Sequence, residues 1–219
     1  MQDGTEPVEQ REVGVGPWPG GPDAWPRLPG GPGGGIDPRY DPELLAHGDR
    51  RNVLDGYRYW TVEAIVADLD ARRHPLHVAF ENVEHDLNVG SLVRTANAYN
   101  VAGVHVVGRR RWNRRGAMVT DRYLHVHHHA DVTDLLTWAQ EHGLPVLGID
   151  NVPGSVPIET YPMPRDCVLL FGTESSGLSP AAVGGAQAVL HITQHGSTRS
   201  LNLGAAAAIA MYAWATHHP

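Results

Sequence analysis

The chain contains no lysine: all seventeen of its basic residues are arginine, and with twenty-four acidic residues the formal net charge is -7. The overall basic balance common among nucleic-acid binders is therefore absent, and any contact with nucleic acid has to rest on a local patch. Cysteine is almost absent too. The lone Cys167 excludes an internal disulfide framework and fits a reducing compartment. No apolar run approaches the ~20 residues of a membrane span, and the N-terminus lacks the basic and apolar regions of a signal peptide. The expectation is a soluble, cytoplasmic protein with no membrane partner. Two nucleotide-binding fingerprints are missing as well, G-x-G-x-x-G after the first strand and G-x-x-x-x-G-K-[ST] anywhere. A Rossmann dehydrogenase and a P-loop NTPase are both disfavoured.

Glycine and proline, by contrast, are concentrated near the start: they supply sixteen of the twenty-six residues from Val13 to Pro38. Such a stretch buries little apolar surface against a high chain entropy, so residues 1–38 are expected to be a disordered extension. Trp18 and Trp25 interrupt it. Residues 39–75 form a helical N-terminal segment in this reading. Asp41-Pro42 marks one helix start, and Thr61 precedes a second helix with Val62, Ile65, Val66 and Leu69 at helical spacing. At 219 residues there is room for one domain beyond that, expected over 76–219.

Within it, short β-rich runs at 76–80, 103–107, 144–149, 167–171 and 189–192, with an extended piece at 125–129, alternate with helical patterns. This alternation predicts an α/β fold, a mainly parallel sheet with helices on both faces and ligands at the carboxyl ends of the strands. Three loops carry the polar chemistry. Asn88 opens a stretch containing Arg94 and Thr95. Gly172, Glu174 and Gly177 follow the run 167–171, two glycines bracketing a carboxylate, which suits close backbone approach to a ligand. Ser200, Leu201 and Asn202 precede an uncharged helix, Ala205 to Ala215, whose apolar residues on every face imply burial on several sides. Taken singly, these are also a solvated turn and an ordinary N-capped core helix.

Taken in this order, the three loops resemble motifs one, two and three of the SpoU (TrmH-like) RNA 2′-O-methyltransferases of the SPOUT superfamily. The likeness covers roughly His77 to Tyr212. It implies a C-terminal trefoil knot, an S-adenosylmethionine site within it, and homodimers joined through the knotted face. By the same resemblance Gly172, Ile192 and Leu201 would hold the cofactor, with Ile149 a further candidate. Arg94, Glu174, Ser200 and Asn202 would form the catalytic set, and Asn88 would shape the loop of motif one on the RNA side. Two positions depart from the family pattern. Motif three usually opens Ile-Pro-Met, whereas this chain has Ile192-Thr193-Gln194, which removes a rigid φ and adds an N–H donor. Motif two has Ser175 where glycine is common.

A local basic patch does exist, in Arg109, Arg110, Arg111, Arg114 and Arg115 with Trp112 interleaved. Such a loop suits phosphate contacts and base stacking on RNA, and Arg122 and Arg199 could extend it. The run His125, His127, His128, His129 has no cysteine or carboxylate at a usual ligand spacing, and no metal site is expected. The reading is an S-adenosylmethionine-dependent methyltransferase acting on a ribose 2′-hydroxyl of tRNA or rRNA. A non-catalytic RNA-binding or assembly protein of the same fold, or a SPOUT enzyme methylating a base, are the competing classes.

Overall fold

The computed structural model describes residues 14–29, 34–82, 88–112, 114 and 116–218. The chain divides into two units, residues 1–67 and 68–219. Among the described residues no helix is long and apolar enough to cross a membrane.

The first unit corrects the expectation of a disordered extension over its described part. Val15 bridges Asp49 and Arg27 bridges Ile36, both antiparallel. The Trp18 ring meets Tyr40 and Tyr59 edge-on at 5.8 and 5.2 Å, and its indole N–H donates to the carbonyl of Ala24 at 3.0 Å. Tyr59 Oη donates to the Gly16 carbonyl at 2.7 Å. Glycine and proline make a segment poor in core residues, but a few aromatic anchors and backbone partners supply what composition omits. Asp41 accepts from the Glu43 N–H and opens α1 (Pro42–His47), as the sequence indicated. Fully buried Asp49 accepts from Arg51 Nε and Nη2 and from the Tyr59 N–H. α2 (Val62–Asp70) contains the unit boundary, which therefore falls well after Pro38.

The second unit is a sheet of seven strands, every neighbouring pair parallel. Its elements are β1 (His74–Asn82), α3 (Val89–Ala98), β2 (Val101–Gly108), β3 (Val126–His129), α4 (Val132–Glu141), β4 (Val146–Ile149), β5 (Val156–Pro157), β6 (Cys167–Phe171), α5 (Pro180–Gly185), β7 (Ala188–His191) and α6 (Leu203–His217). The order across the sheet is β3-β2-β1-β6-β4-β7-β5. Two-residue β5, with a proline at the sheet edge, left no pattern in the sequence. Side chains alternate along the central strands. Leu76, Val78 and Phe80 of β1 join Cys167, Leu169 and Phe171 of β6 under Leu92 and Val93 of α3 and Met211 and Trp214 of α6. Ala79, Val168 and Leu170 point the other way, onto Leu135 and Ala139 of α4 and Ala182 of α5. Helices on both faces explain why Cys167-Val-Leu-Leu-Phe171 is apolar throughout.

At the β3 edge the histidines form a chain with one another. His77 and His105 hydrogen-bond at 3.0 Å and His105 and His129 at 2.8 Å, while the Trp138 ring lies 4.3 Å from that of His105. Gly103 leaves the space, since a Cβ there would stand 3.1 Å from His77 Nδ1 and 3.3 Å from the His127 ring. Burial, and then the neighbouring histidines, push His105 down to about 2 and His77 down to about 4, with Asp166 a small opposing influence on His77. The unfolded chain therefore binds protons that the folded one refuses. Stability from these two groups is fully present above about pH 6.5 and falls as pH drops below it, by roughly 1.4 kcal/mol per pH unit for each. Thermal melts from pH 8 to pH 4.5 should show that decline, and His77→Phe should flatten it.

Candidate active site

The loop after β6 is built on two glycines that tolerate no side chain. Thr173 and Gly177 exchange backbone hydrogen bonds at 3.0 and 2.9 Å, closing a tight loop over Glu174, Ser175 and Ser176. A Cβ on Gly172 would stand 2.0 Å from the Gly177 carbonyl carbon. Gly177 has a φ of 69°, left-handed backbone that favours glycine, and a Cβ there would strike the Asp150 carboxylate. Asp150, immediately after β4, accepts from the Leu178 N–H at 2.7 Å. Buried Glu81 of β1 accepts from the Ser179 N–H at 2.8 Å. Adjacent strand ends thus hold the loop through carboxylate–amide bonds.

Glu174 joins all three loops. Its Oε1 accepts from Asn88 Nδ2 at the start of α3, from Asn202 Nδ2 at 3.1 Å and from the Leu203 N–H at 3.3 Å. Asn202 also caps α6, its Oδ1 accepting from the Ala205 N–H at 3.2 Å. One exposed carboxylate gathers residues separated by 86 and 28 positions in the chain. The negative charge suits the N-terminal end of α6. α3 and α6 meet closely here, since a Cβ on Gly204 would stand 2.9 Å from Ser91 Cβ.

Between these loops lies a cavity of about 480 Å³ at the carboxyl ends of β4, β6 and β7. Ile149, Phe171, Ile192, Leu201, Leu203 and Ala206 give it apolar walls; Asp150, Thr173, Glu174, Gln194, Arg199 and Ser200 give it polar ones. Gly172, Ile192, Leu201 and Ile149 all line it, together with Glu174 and Ser200. Arg94 and Asn202 do not. Arg94 is exposed on α3, one turn beyond Ser91, and its side chain makes no hydrogen bond or ion pair among the described residues. Asn202 is exposed and serves as a cap of α6 and a partner of Glu174. The sequence reading missed Asp150 and Gln194. Asp150 was open to inference, as a carboxylate directly after a buried strand; Gln194 offered no signal beyond its departure from Ile-Pro-Met.

The arginine loop leaves β2 and is tied to β1, Asn82 Nδ2 donating to the carbonyls of Arg109 and Arg111. It returns beside α3, where a Cβ on Gly116 would lie 3.4 Å from Ser91 Oγ. Arg109, Arg110, Arg111 and Arg114 are exposed; Arg115 lies outside the described residues, as do Asn113 and residues 83–87. Trp112 requires a correction. Expected to stack on bases, it is only 7% exposed and belongs to the core, with the Phe80 ring 6.3 Å away and Arg114 over its face at 5.5 Å. The tryptophan anchors the loop, because a large aromatic between arginines gains more from burial than from exposure.

Fold and site together define a parallel α/β protein with a cavity at the carboxyl ends of its strands and three loops joined beside it. The family model described as the SpoU rRNA Methylase family matches residues 75–212, and the chain belongs to this family. It is 28% identical over 153 residues to the tRNA (guanosine(18)-2′-O)-methyltransferase of Escherichia coli, covering 68% of this chain and 67% of that one. The enzyme of the same name from Thermus thermophilus is 26% identical over 150 residues, covering 64% and 75%. Among solved structures, the TrmH/SpoU tRNA modifying enzyme of A. aeolicus superposes with a TM-score of 0.63 at 22% identity, covering 71% of this chain and 81% of that one. The AdoMet-bound rRNA methyltransferase of Sinorhizobium meliloti superposes with a TM-score of 0.61 at 26% identity, covering 70% and 60%.

Proposed function

We propose that this protein transfers a methyl group from S-adenosylmethionine to a ribose 2′-hydroxyl of tRNA or rRNA. The observation that carries the reading is the Glu174 junction, which ties the three motif loops together at one cavity through Asn88, the residue that opens the helix carrying Arg94. The names of the relatives agree with it. The residues present fit the cofactor. Gly172 leaves the cavity wall without a side chain where a Cβ could not be accommodated, and Ile149, Ile192 and Leu201 supply apolar surface for a base. Backbone groups of the 172–177 loop and Asp150 lie close enough to the same cavity to meet polar parts of the molecule.

When bound, S-adenosylmethionine supplies a methyl group already made electrophilic by its sulfonium. The chain has to hold the ribose oxygen in line at about 3 Å from that carbon and let its proton leave. A guanidinium presents five N–H donors in a fixed fork and no acceptor, so Arg94 clamps the phosphate beside the target ribose while phosphate or water takes the proton. Glu174 and Asn202 act as positioning residues, and Ser200 lines the cavity that would receive the methyl donor. α6 supports a homodimer: Ile209 and Tyr212 are 40% and 62% exposed and share a face with Ala205. Its apolar surface is covered on one side only within a single chain, and a second copy supplies the other. A cytoplasmic location fits a protein acting on these RNAs.

Incubating the protein with total tRNA or rRNA and methyl-labelled S-adenosylmethionine, then mapping alkali-resistant ribose positions, tests the reading. Label on bases, or none with either RNA, rejects it. The arginine loop gives a separate expectation. Replacing Arg110, Arg111 and Arg114 together with alanine should weaken RNA binding across sequences and flatten the salt dependence. Each lost phosphate contact removes about 0.9 from the slope of log K against log salt. Single-turnover methylation at saturating RNA should survive. Binding equal to the parent at every salt concentration would make the loop a solvated surface.

A further inference from the structure

The cavity is uneven in charge. Asp150 and Glu174 line it, and Arg199 alone among its lining residues is basic. Both carboxylates are engaged by the protein itself. Asp150 accepts from the Leu178 N–H, and Glu174 accepts from Asn88, Asn202 and the Leu203 N–H. Arg199 differs. It is exposed, and its side chain makes no hydrogen bond or ion pair among the described residues. The guanidinium therefore pairs with neither carboxylate, and its five N–H donors are left for a ligand. Arg199 also comes shortly before α6, which starts at Leu203, and the positive end of that helix adds to its field.

S-adenosylmethionine carries one anionic group, the carboxylate of its amino-acid tail, and two cationic ones, the ammonium and the sulfonium. Asp150 and Glu174 repel the carboxylate and attract the ammonium, whereas Arg199 does the reverse. A planar guanidinium also matches a carboxylate with two parallel hydrogen bonds. Arg94 and the arginine loop do not line the cavity, so no other arginine there competes for the tail. We infer, on the cofactor reading above, that Arg199 is a specificity-determining residue for the cofactor, its guanidinium pairing with the carboxylate of the amino-acid tail.

Calorimetry on the full-length parent and on Arg199→Gln would use two ligands, S-adenosylhomocysteine and its analogue that lacks only the carboxylate, S-adenosyl-3-thiopropylamine. The parent should lose roughly tenfold in affinity when the carboxylate is removed, while Arg199→Gln should bind the two ligands within about twofold of each other. The variant's melting temperature, measured without ligand, should stay within about 2 °C of the parent's, because an exposed side chain without partners supports nothing in the fold. If the parent fails to bind S-adenosylhomocysteine, the cofactor reading falls and takes the inference with it. If the parent binds it but Arg199→Gln weakens both ligands equally, or prefers the carboxylate as strongly as the parent does, the inference alone is overturned. Loss of RNA affinity with both cofactor affinities unchanged also overturns it, and assigns Arg199 to a phosphate of the RNA instead.

Discussion

Arg94→Ala should lower single-turnover methyl transfer by at least roughly a thousandfold while shifting the affinity for S-adenosylhomocysteine by less than about twofold. The separation follows from geometry. The cavity is walled by the ends of β4, β6 and β7 and by Arg199, Ser200, Leu201, Leu203 and Ala206, and Arg94 is not among its lining residues. It projects from α3 one turn past Ser91, where the arginine loop returns, so its removal deprives the RNA and the reacting oxygen rather than the cofactor. Arg94→Lys refines the result. A lysine keeps the charge but loses the two-pronged geometry of a guanidinium, so recovery of only a few per cent of the rate marks a bidentate clamp. Loss of RNA affinity alone, with full turnover at saturating RNA, would leave Arg94 outside the chemistry.

Gly172→Ala should have the opposite profile, with cofactor affinity reduced at least tenfold and the protein itself destabilised. The added methyl would sit 2.0 Å from the Gly177 carbonyl carbon and 2.2 Å from the Leu178 nitrogen, and backbone cannot yield as a flexible side chain does. Either β6 shifts away from its neighbours β1 and β4 or the 173–177 loop opens. The second course breaks the Thr173–Gly177 pairing and the bond from Leu178 N–H to Asp150. Overpacking of this kind costs about 1–3 kcal/mol or more, enough to lower the melting temperature by several degrees. Calorimetry and a thermal melt on the same sample check both parts, and a variant that binds cofactor like the parent would sink the cradle assignment.

The central strands and their helical covers were legible in the sequence because a buried parallel sheet writes itself as short apolar runs. The run 167–171 is the clearest, and matches β6 residue for residue. Caps were legible for the same local reason: Asp41 and Asn202 each accept from backbone N–H groups within three residues. Position along the chain said nothing of burial for isolated side chains. Trp112, flanked by arginines, looks like a surface residue and is core. Trp18, flanked by prolines, looks free and is packed against two tyrosines.

What this sequence determined alone was the set of elements, the glycines on which close approach depends, and the three loops that mark the family. These depend on neighbours within a few residues, where propensity, periodicity and capping act. What the tertiary structure decided was the joining of those loops. Nothing local tells Glu174 to accept from Asn88, 86 positions away, nor Asp150 to hold Leu178, nor Gln194 to line the cavity. Such contacts exist only once β6 lies between β1 and β4, because sheet order, not chain order, sets which carboxyl ends are adjacent.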